Sequence, residues 1–246
     1  MRNIKLTIEY DGTNYQGWQK QKDRRVKTIQ ETLEKAISVL TNEEINVQGS
    51  SRTDAGVHAR GFVANFKTTT NIPESKYREA LNSKLPDDIV IIKSEEVEEC
   101  FNSRYYTKGK TYSYTIINTD ICPVIGRQYM YHVRKPLNIE AMKEACKYFI
   151  GTKDFISFRS IGSSVKTTIR TIQDLHIRID DDIIKVYVTG DGFLYNMVRI
   201  IVGTLINIGK NSIMPEDVKS IIEGKDRRKA GLCVPAKGLT LEKVFY

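Results

Sequence analysis

The chain is poor in the residues that build metal sites and disulfide frameworks. Its 246 residues hold four cysteines and three histidines. Cys100, Cys122, Cys146 and Cys233 are widely spaced, with no C-x-x-C pair, which argues against a zinc ribbon and against a disulfide-stapled scaffold. The histidines lack metal-ligand spacing, so no metal is expected. No apolar run approaches the length of a membrane span, and Met1-Arg2-Asn3-Ile4-Lys5 shows no signal-peptide core. A cytoplasmic, membrane-free protein is therefore expected. What is present is ordinary globular material with 40% hydrophobic and 28% charged residues, but the formal net charge is +8. Such an excess either serves solubility or marks a polyanionic partner such as nucleic acid. The cations cluster. Lys20, Lys22, Arg24, Arg25 and Lys27 share one polar stretch, and Arg104, Lys108 and Lys110 lie among Tyr105, Tyr106 and Tyr112. Interleaved cations and aromatics suit phosphates and unstacked bases, although either cluster also reads as a solvated loop.

The hydrophobic pattern predicts an α+β chain. Ile4, Leu6, Ile8 and Tyr10 alternate on a strand. Thr28-Ile29-Gln30-Glu31 reads as a capping box opening a helix with Ile29, Leu33, Ile37 and Leu40 on one face. Strands are expected at 44–51 and 61–68, a helix opened by Pro73, and a strand from Ile89. This is the β-α-β-β-α-β order of a ferredoxin-like unit. A similar order follows: a strand through Tyr112, Tyr114 and Ile116, a helix at 138–149, strands near 169–179 and 183–190, a strongly apolar helix from Phe193 to Ile208, a short helix after Pro215 and a last strand at 239–245. The expectation is two fused ferredoxin-like or RRM-like units, 1–105 and 106–246. Each has an antiparallel mixed sheet with helices packed on one side, and a catalytic cleft is expected between them.

Two features carry chemistry. Gly49-Ser50-Ser51-Arg52-Thr53-Asp54-Ala55-Gly56-Val57-His58-Ala59 is a polar, Gly-flanked loop between predicted strands, where reactive groups are commonly displayed. It has neither the Lys of a P-loop nor zinc-ligand spacing. Its single acid, Asp54, is either a turn former or a nucleophile. Arg199 falls in the middle of the apolar helix, where an isolated guanidinium costs several kcal/mol, on the order of a buried unpaired charge. It either snorkels or pairs with a carboxylate, for which Asp54 is a candidate. His58 reads as structural rather than as a general base. Arg170 either contacts RNA or sits on an exposed strand face.

Arg52-Thr53-Asp54-Ala55-Gly56-Val57-His58-Ala59 resembles the catalytic loop of the TruA family of tRNA pseudouridine synthases. Lys110-Thr111-Tyr112-Ser113-Tyr114 resembles the family's second motif, and the stretch from Gly190 to Leu205 its third. Pro235-Ala236-Lys237-Gly238-Leu239 is similar to its closing segment. The motifs span the chain in the family's order. The resemblance implies Asp54 as a carboxylate nucleophile, Tyr112 as the aromatic stacked on the target base, Arg199 as the basic partner of the carboxylate and Arg52 as a contact to the flipped nucleotide or its phosphates. It implies a homodimer with tRNA lying across both subunits, no metal and no organic cofactor. The implied substrates are uridines at positions 38, 39 and 40 of the tRNA anticodon arm. One departure stands out: members commonly read Gly-Ala-Gly where this chain has Gly49-Ser50-Ser51. A lost glycine restricts the backbone and two hydroxyls add hydrogen-bonding capacity. That leaves room for another tRNA site or ribosomal RNA as substrate. A non-catalytic RNA-binding module would need the cations and aromatics but not Asp54. An RNA hydrolase is disfavoured, because no paired acid and base stands out.

Overall fold

The computed structural model describes residues 1–23, 25–162 and 165–246, so Arg24 of the first basic cluster lies outside the described residues. Two compact units emerge, Met1–Lys108 with Thr240–Tyr246, and Gly109–Leu239. The element pattern predicts a division at 105/106 with the last strand in the second unit. Residues 240–246 instead belong with the first.

The first unit runs β1 (Arg2–Tyr10), α1 (Ile29–Thr41), β2 (Gln48–Gly49), β3 (His58–Thr68), α2 (Lys76–Asn82) and β4 (Ile89–Val97). The sheet order β4-β1-β3, with β2 on the far side of β3, is the ferredoxin-like arrangement, and these strand pairs are antiparallel. Alternation on β1 places Ile4, Leu6 and Ile8 in the core with Phe62, Ala64 and Phe66 of β3, all nearly free of solvent contact. Ile29, Leu33 and Ile37 of α1 and Tyr77 and Leu81 of α2 are buried too. Thr28 caps α1, its hydroxyl accepting from the Glu31 N–H at 3.4 Å. The expected strand at 44–51 shrinks to two residues. Before it, Val47 uses side chains in place of a ladder: its N–H donates to Glu34 Oε1 at 3.2 Å and its carbonyl accepts from Gln30 Nε2 at 3.1 Å.

The second unit runs β5 (Gly109–Ile117), β6 (Tyr131–His132), α3 (Ile139–Phe149), β7 (Gly151–Asp154), β8 (Ile169–Asp180), β9 (Ile183–Gly190), α4 (Met197–Gly209) and α5 (Asp217–Glu223). Its main sheet is antiparallel in the order β5-β9-β8-β7, with β6 parallel beside β5. Asn138 caps α3 by accepting from the Ala141 N–H at 3.1 Å. The last strand, β10 (Leu239–Phe245), pairs in parallel with β3, matching Thr240 to His58 and Leu241 to Ala59. Among the described residues, no helix is long and apolar enough to cross a membrane.

Candidate active site

Asp54 lies in the loop that links β2 to β3, and a second segment, residues 10–18, fastens that loop on both sides of it. On the N-terminal side, the Trp18 N–H donates to the Thr53 carbonyl at 3.1 Å. The hydroxyls of Tyr10 and Thr53 share a hydrogen bond of 2.8 Å, and both side chains are buried. On the C-terminal side, the Gly56 N–H donates to the Tyr15 carbonyl at 3.3 Å, and the Val57 N–H closes a turn on the Asp54 carbonyl at 3.2 Å. The segments approach so closely that a Cβ on Gly12 would lie 2.0 Å from the Val57 oxygen. Gly17 has φ +84, in the left-handed region, and a Cβ there would lie 2.4 Å from the Thr53 oxygen. The clasp is anchored in turn. The Ile29 and Gln30 N–H groups at the start of α1 donate to the Gly17 and Trp18 carbonyls, and the Tyr15 hydroxyl donates to Asp88. Burial and the Asp88 carboxylate both push the Tyr15 phenol well above its ordinary range, so it is a proton donor at any physiological pH.

His58 opens β3 and is buried. Its Nδ1 lies 3.1 Å from the Gly12 N–H and 3.0 Å from Asp11 Oδ1. An unprotonated Nδ1 accepts from Gly12, and a protonated one donates to Asp11; either state ties β3 to the clasp. Ser50, where the family pattern has Ala, is almost fully buried. Its N–H donates to the Val63 carbonyl at 2.8 Å, and its hydroxyl reaches the Val63 N–H at 3.4 Å. The added hydroxyl thus serves a β3 amide where the β2 ladder ends. Arg52 is exposed and meets no carboxylate among the described residues. The first basic cluster is largely neutralised at home: Lys20 pairs with Glu34 at 3.0 Å, Arg25 with Asp23 at 2.9 Å, and Lys27 lies 3.8 Å from Asp88. The solvated-loop reading fits those three.

In the second unit, Tyr112 stands on β5 opposite Val188 of β9, only 7% exposed, with its ring edge-on to Phe193 at 5.3 Å. Arg199 is not in the middle of its helix. Residues 193–196 precede α4, Asn196 turns the chain at φ 61, and Arg199 falls in the first turn. A cation is poorly placed at a helix N-terminus. Two acceptors hold it there: Nε donates to the Val234 carbonyl and Nη1 to Asn196 Oδ1, both at 2.7 Å. Asn196 is itself braced by donating to Ser160 Oγ at 3.0 Å. The guanidinium is therefore fixed in orientation by its own unit. Its charge also works against the burial that raises the Tyr114 phenol. Arg170 turns back on the main chain, donating to the carbonyls of Thr167 and Ile169.

The first unit thus carries a fastened acidic loop, and the second a buried tyrosine and an oriented cation. A sequence profile described as tRNA pseudouridine synthase matches residues 6–106 and 145–246. The chain belongs to this family. A tRNA pseudouridine synthase A of Clostridium botulinum (strain Eklund 17B / Type B) is 60% identical over 247 residues, and tRNA pseudouridine synthase A 2 of Clostridium perfringens (strain 13 / Type A) is 59% identical over 246; each comparison covers the whole of both chains. A chain of the solved Cbf5-Nop10-Gar1 complex aligns over 97% of this chain and 58% of its own, at 10% identity and TM-score 0.39, too distant a likeness to carry weight. The protein is thus a pseudouridine synthase, an isomerase. What the sequence reading of this synthase missed is the clasp. Tyr10-Asp11-Gly12 and Gly17-Trp18 form a polar, glycine-bearing link between a strand and a capped helix, a signal equal in kind to that of the Asp54 loop itself.

Proposed function

We propose that this synthase converts uridines of the tRNA anticodon arm to pseudouridine, with Asp54 as its nucleophile. The observation that carries the reading is the fastening of the Asp54 loop on both sides by one segment, residues 10–18. Precision of that kind suits a carboxylate that must meet a small target. The reaction breaks N1–C1′, turns the uracil and joins C5 to C1′. The hydrogen on C5 leaves as a proton and N1 gains one, so no oxidant or reductant is needed. The target uridine must first leave its stack, at a cost of a few kcal/mol, on the order of one unstacked base. Tyr112 is the aromatic assigned to the base, worth about 1–3 kcal/mol of stacking once its ring, 7% exposed beside Phe193, is uncovered. In this reading, Asp54 attacks carbon or takes a proton, and in either role it must stay ionised in a site stripped of water. Desolvation opposes that, and a neighbouring guanidinium favours it. Arg199 is the cation assigned to this task, and Arg52 is assigned to the nucleotide's phosphates. Family resemblance further supports a homodimer with tRNA across both subunits and a cytoplasmic location.

The decisive experiment uses tRNA carrying tritium at C5 of uridine, because closure of the C5–C1′ bond releases that tritium to water. Asp54→Asn is expected to abolish release while holding tRNA affinity within a few-fold. Release near the wild-type rate in that variant removes Asp54 from the chemistry. Mapping pseudouridine in tRNA and ribosomal RNA with and without the protein tests the anticodon-arm assignment.

A further inference from the structure

The sequence placed Arg104, Tyr105, Tyr106 and Tyr112 in one cation–aromatic cluster, and the structure takes it apart. Tyr112 is buried, whereas Tyr105 is 77% exposed and Tyr106 is 49% exposed. Exposure of one tyrosine is unremarkable. Here it comes on a rigid mount. The Asn102 side chain accepts from the N–H groups of Arg104 at 2.9 Å and Tyr105 at 3.2 Å, and its carbonyl accepts from the Tyr106 N–H at 3.1 Å. Ser103, inside the same turn, is fully buried. Its N–H donates to Asn65 Oδ1 at 2.9 Å and its hydroxyl to the Gln48 carbonyl at 2.7 Å. Its carbonyl accepts from Tyr246 Oη and Thr107 Oγ1, both at 2.8 Å. Asn3 and Asn65 hold the Phe101 carbonyl just before it, at 2.9 and 3.4 Å. The Ser103 groups and the Phe101 carbonyl are spent inward, on β1, β2, β3 and the chain's last residue, while Tyr105 and Tyr106 stay exposed.

Arg104 completes the surface. Its guanidinium carbon sits 5.9 Å from the Tyr105 ring centre, near the outer limit for a cation over an aromatic face. No carboxylate among the described residues pairs with it, in contrast to Lys20, Arg25 and Lys27 of the first cluster. An unpaired guanidinium beside an open phenol ring is a site for a phosphate and an unstacked base together. A tyrosine loses little rotamer freedom on engagement, and the fixed turn spares the backbone cost as well.

We infer that Arg104 and Tyr105 form a contact to the substrate RNA in addition to the residues assigned to isomerisation. Tyr105 stacks on an unpaired nucleotide of the substrate RNA, and Arg104 takes the adjoining phosphate. This rests on the proposed RNA substrate but not on the role of Asp54. The contact adds affinity for the whole RNA and leaves the chemical step untouched.

The test uses the full chain with Tyr105→Trp as a reporter. Trp18 is the only native tryptophan and is buried, so the wild-type protein supplies the baseline. Titration with unmodified tRNA is expected to quench the added indole fluorescence by stacking. Tyr105→Ala is expected to raise KM and Kd for tRNA about tenfold, within the range of one lost base–aromatic stack, with kcat within twofold. Arg104→Gln is expected to lower the slope of log Kd against log salt by about one phosphate's worth. Tyr105→Phe is expected to restore wild-type values, since the ring and not the hydroxyl makes the contact. Absence of quenching together with an unchanged KM in Tyr105→Ala overturns the inference. So does a change of oligomeric state in Tyr105→Ala at constant RNA affinity, which reassigns the patch to a protein partner. If the wild-type protein forms no pseudouridine, the proposed function fails, and the fluorescence titration still decides this contact by itself.

Discussion

Substituting Gly17 by alanine tests whether the clasp sets the position of Asp54, the proposed nucleophile, or only holds the fold. Two penalties coincide at this residue. With φ +84, an alanine pays the left-handed cost of about 1–2 kcal/mol. The new Cβ would also sit 2.4 Å from the Thr53 oxygen, 3.1 Å from the Asp54 carbonyl carbon and 3.2 Å from the Ala55 nitrogen. Relief to 3.0 Å requires the two backbones to part by at least 0.6 Å, directly at Asp54. Gly126 separates the two penalties. It has φ +77, and the nearest atom to its Cβ is the flexible end of Met130 at 3.2 Å. Gly126→Ala therefore carries the conformational cost almost alone, about 1 kcal/mol, whereas Gly17→Ala is expected to cost about 2–4 kcal/mol. Urea unfolding reads Gly17→Ala by Trp18 fluorescence, since Trp18 is buried against Phe62 at 4.0 Å, and Gly126→Ala, in the other unit, by circular dichroism. Single-turnover tritium release reads the chemistry. Displacement by a fraction of an ångström is expected to lower the rate in Gly17→Ala by roughly tenfold to a hundredfold, and Gly126→Ala is expected to leave it unchanged. A Gly17→Ala protein less stable than the control but reacting within twofold of wild type refutes the idea that the clasp positions Asp54.

Tyr10→Phe strands the buried Thr53 hydroxyl at a cost of about 1–2 kcal/mol and is expected to slow single-turnover release several-fold, while Thr53→Ser, which keeps the hydroxyl, stays near wild type. Gly203→Ala puts a Cβ 1.9 Å from the Leu232 carbonyl oxygen inside α4. Helix propensity alone favours alanine there by about 1 kcal/mol, but the contact is expected to reverse the sign and cost about 3 kcal/mol or more, seen as a lower urea midpoint. Burial pushes the Cys146 thiol from 9.0 up to about 12. The unfolded thiol ionises first as pH rises, so this stability is complete below pH 9 and is lost progressively between the unfolded and folded values. Relative to wild type, Cys146→Ala is therefore expected to lose about 1 kcal/mol less between pH 8 and pH 10 in urea titrations; equal losses in both proteins remove Cys146 as the cause.

The elements that were legible in the sequence are those fixed by their own residues. Thr28 caps α1 where the pattern placed it, α3 at Ile139–Phe149 starts one residue after the expected 138, and β9 at Ile183–Gly190 matches its predicted bounds. Errors arose where burial imitates periodicity. Phe193, Leu194 and Tyr195 extend the apolar run of α4, but Asn196 in the left-handed region separates them from it, and Leu194 is buried without being helical. Ile45 and Val47 are buried as strand residues would be, although Glu34 and Gln30 on α1 supply the hydrogen bonds at Val47. For β10 the strand itself was readable, and its partner was not. Pairing with β3 joins residues far apart in sequence, and no local pattern encodes which edge will accept it.

The same division runs through the candidate active site. Asp54 could be named as a candidate because a lone acid in a glycine-flanked loop is a local fact. Its placement depends on contacts from a segment some forty residues earlier, about as far as Tyr10 lies from Thr53. Neither segment fixes the geometry alone. Gly12 and Gly17 let the clasp come close, and Thr53, Gly56 and His58 give it something to hold. This predicts coupling between the segments. In a double-mutant cycle, Tyr10→Phe and Thr53→Val share one hydrogen bond, so their rate effects should fall short of additivity by about 0.5–1.5 kcal/mol. Strict additivity would mean that the two hydroxyls act on Asp54 through separate routes, and that the clasp is not a single device.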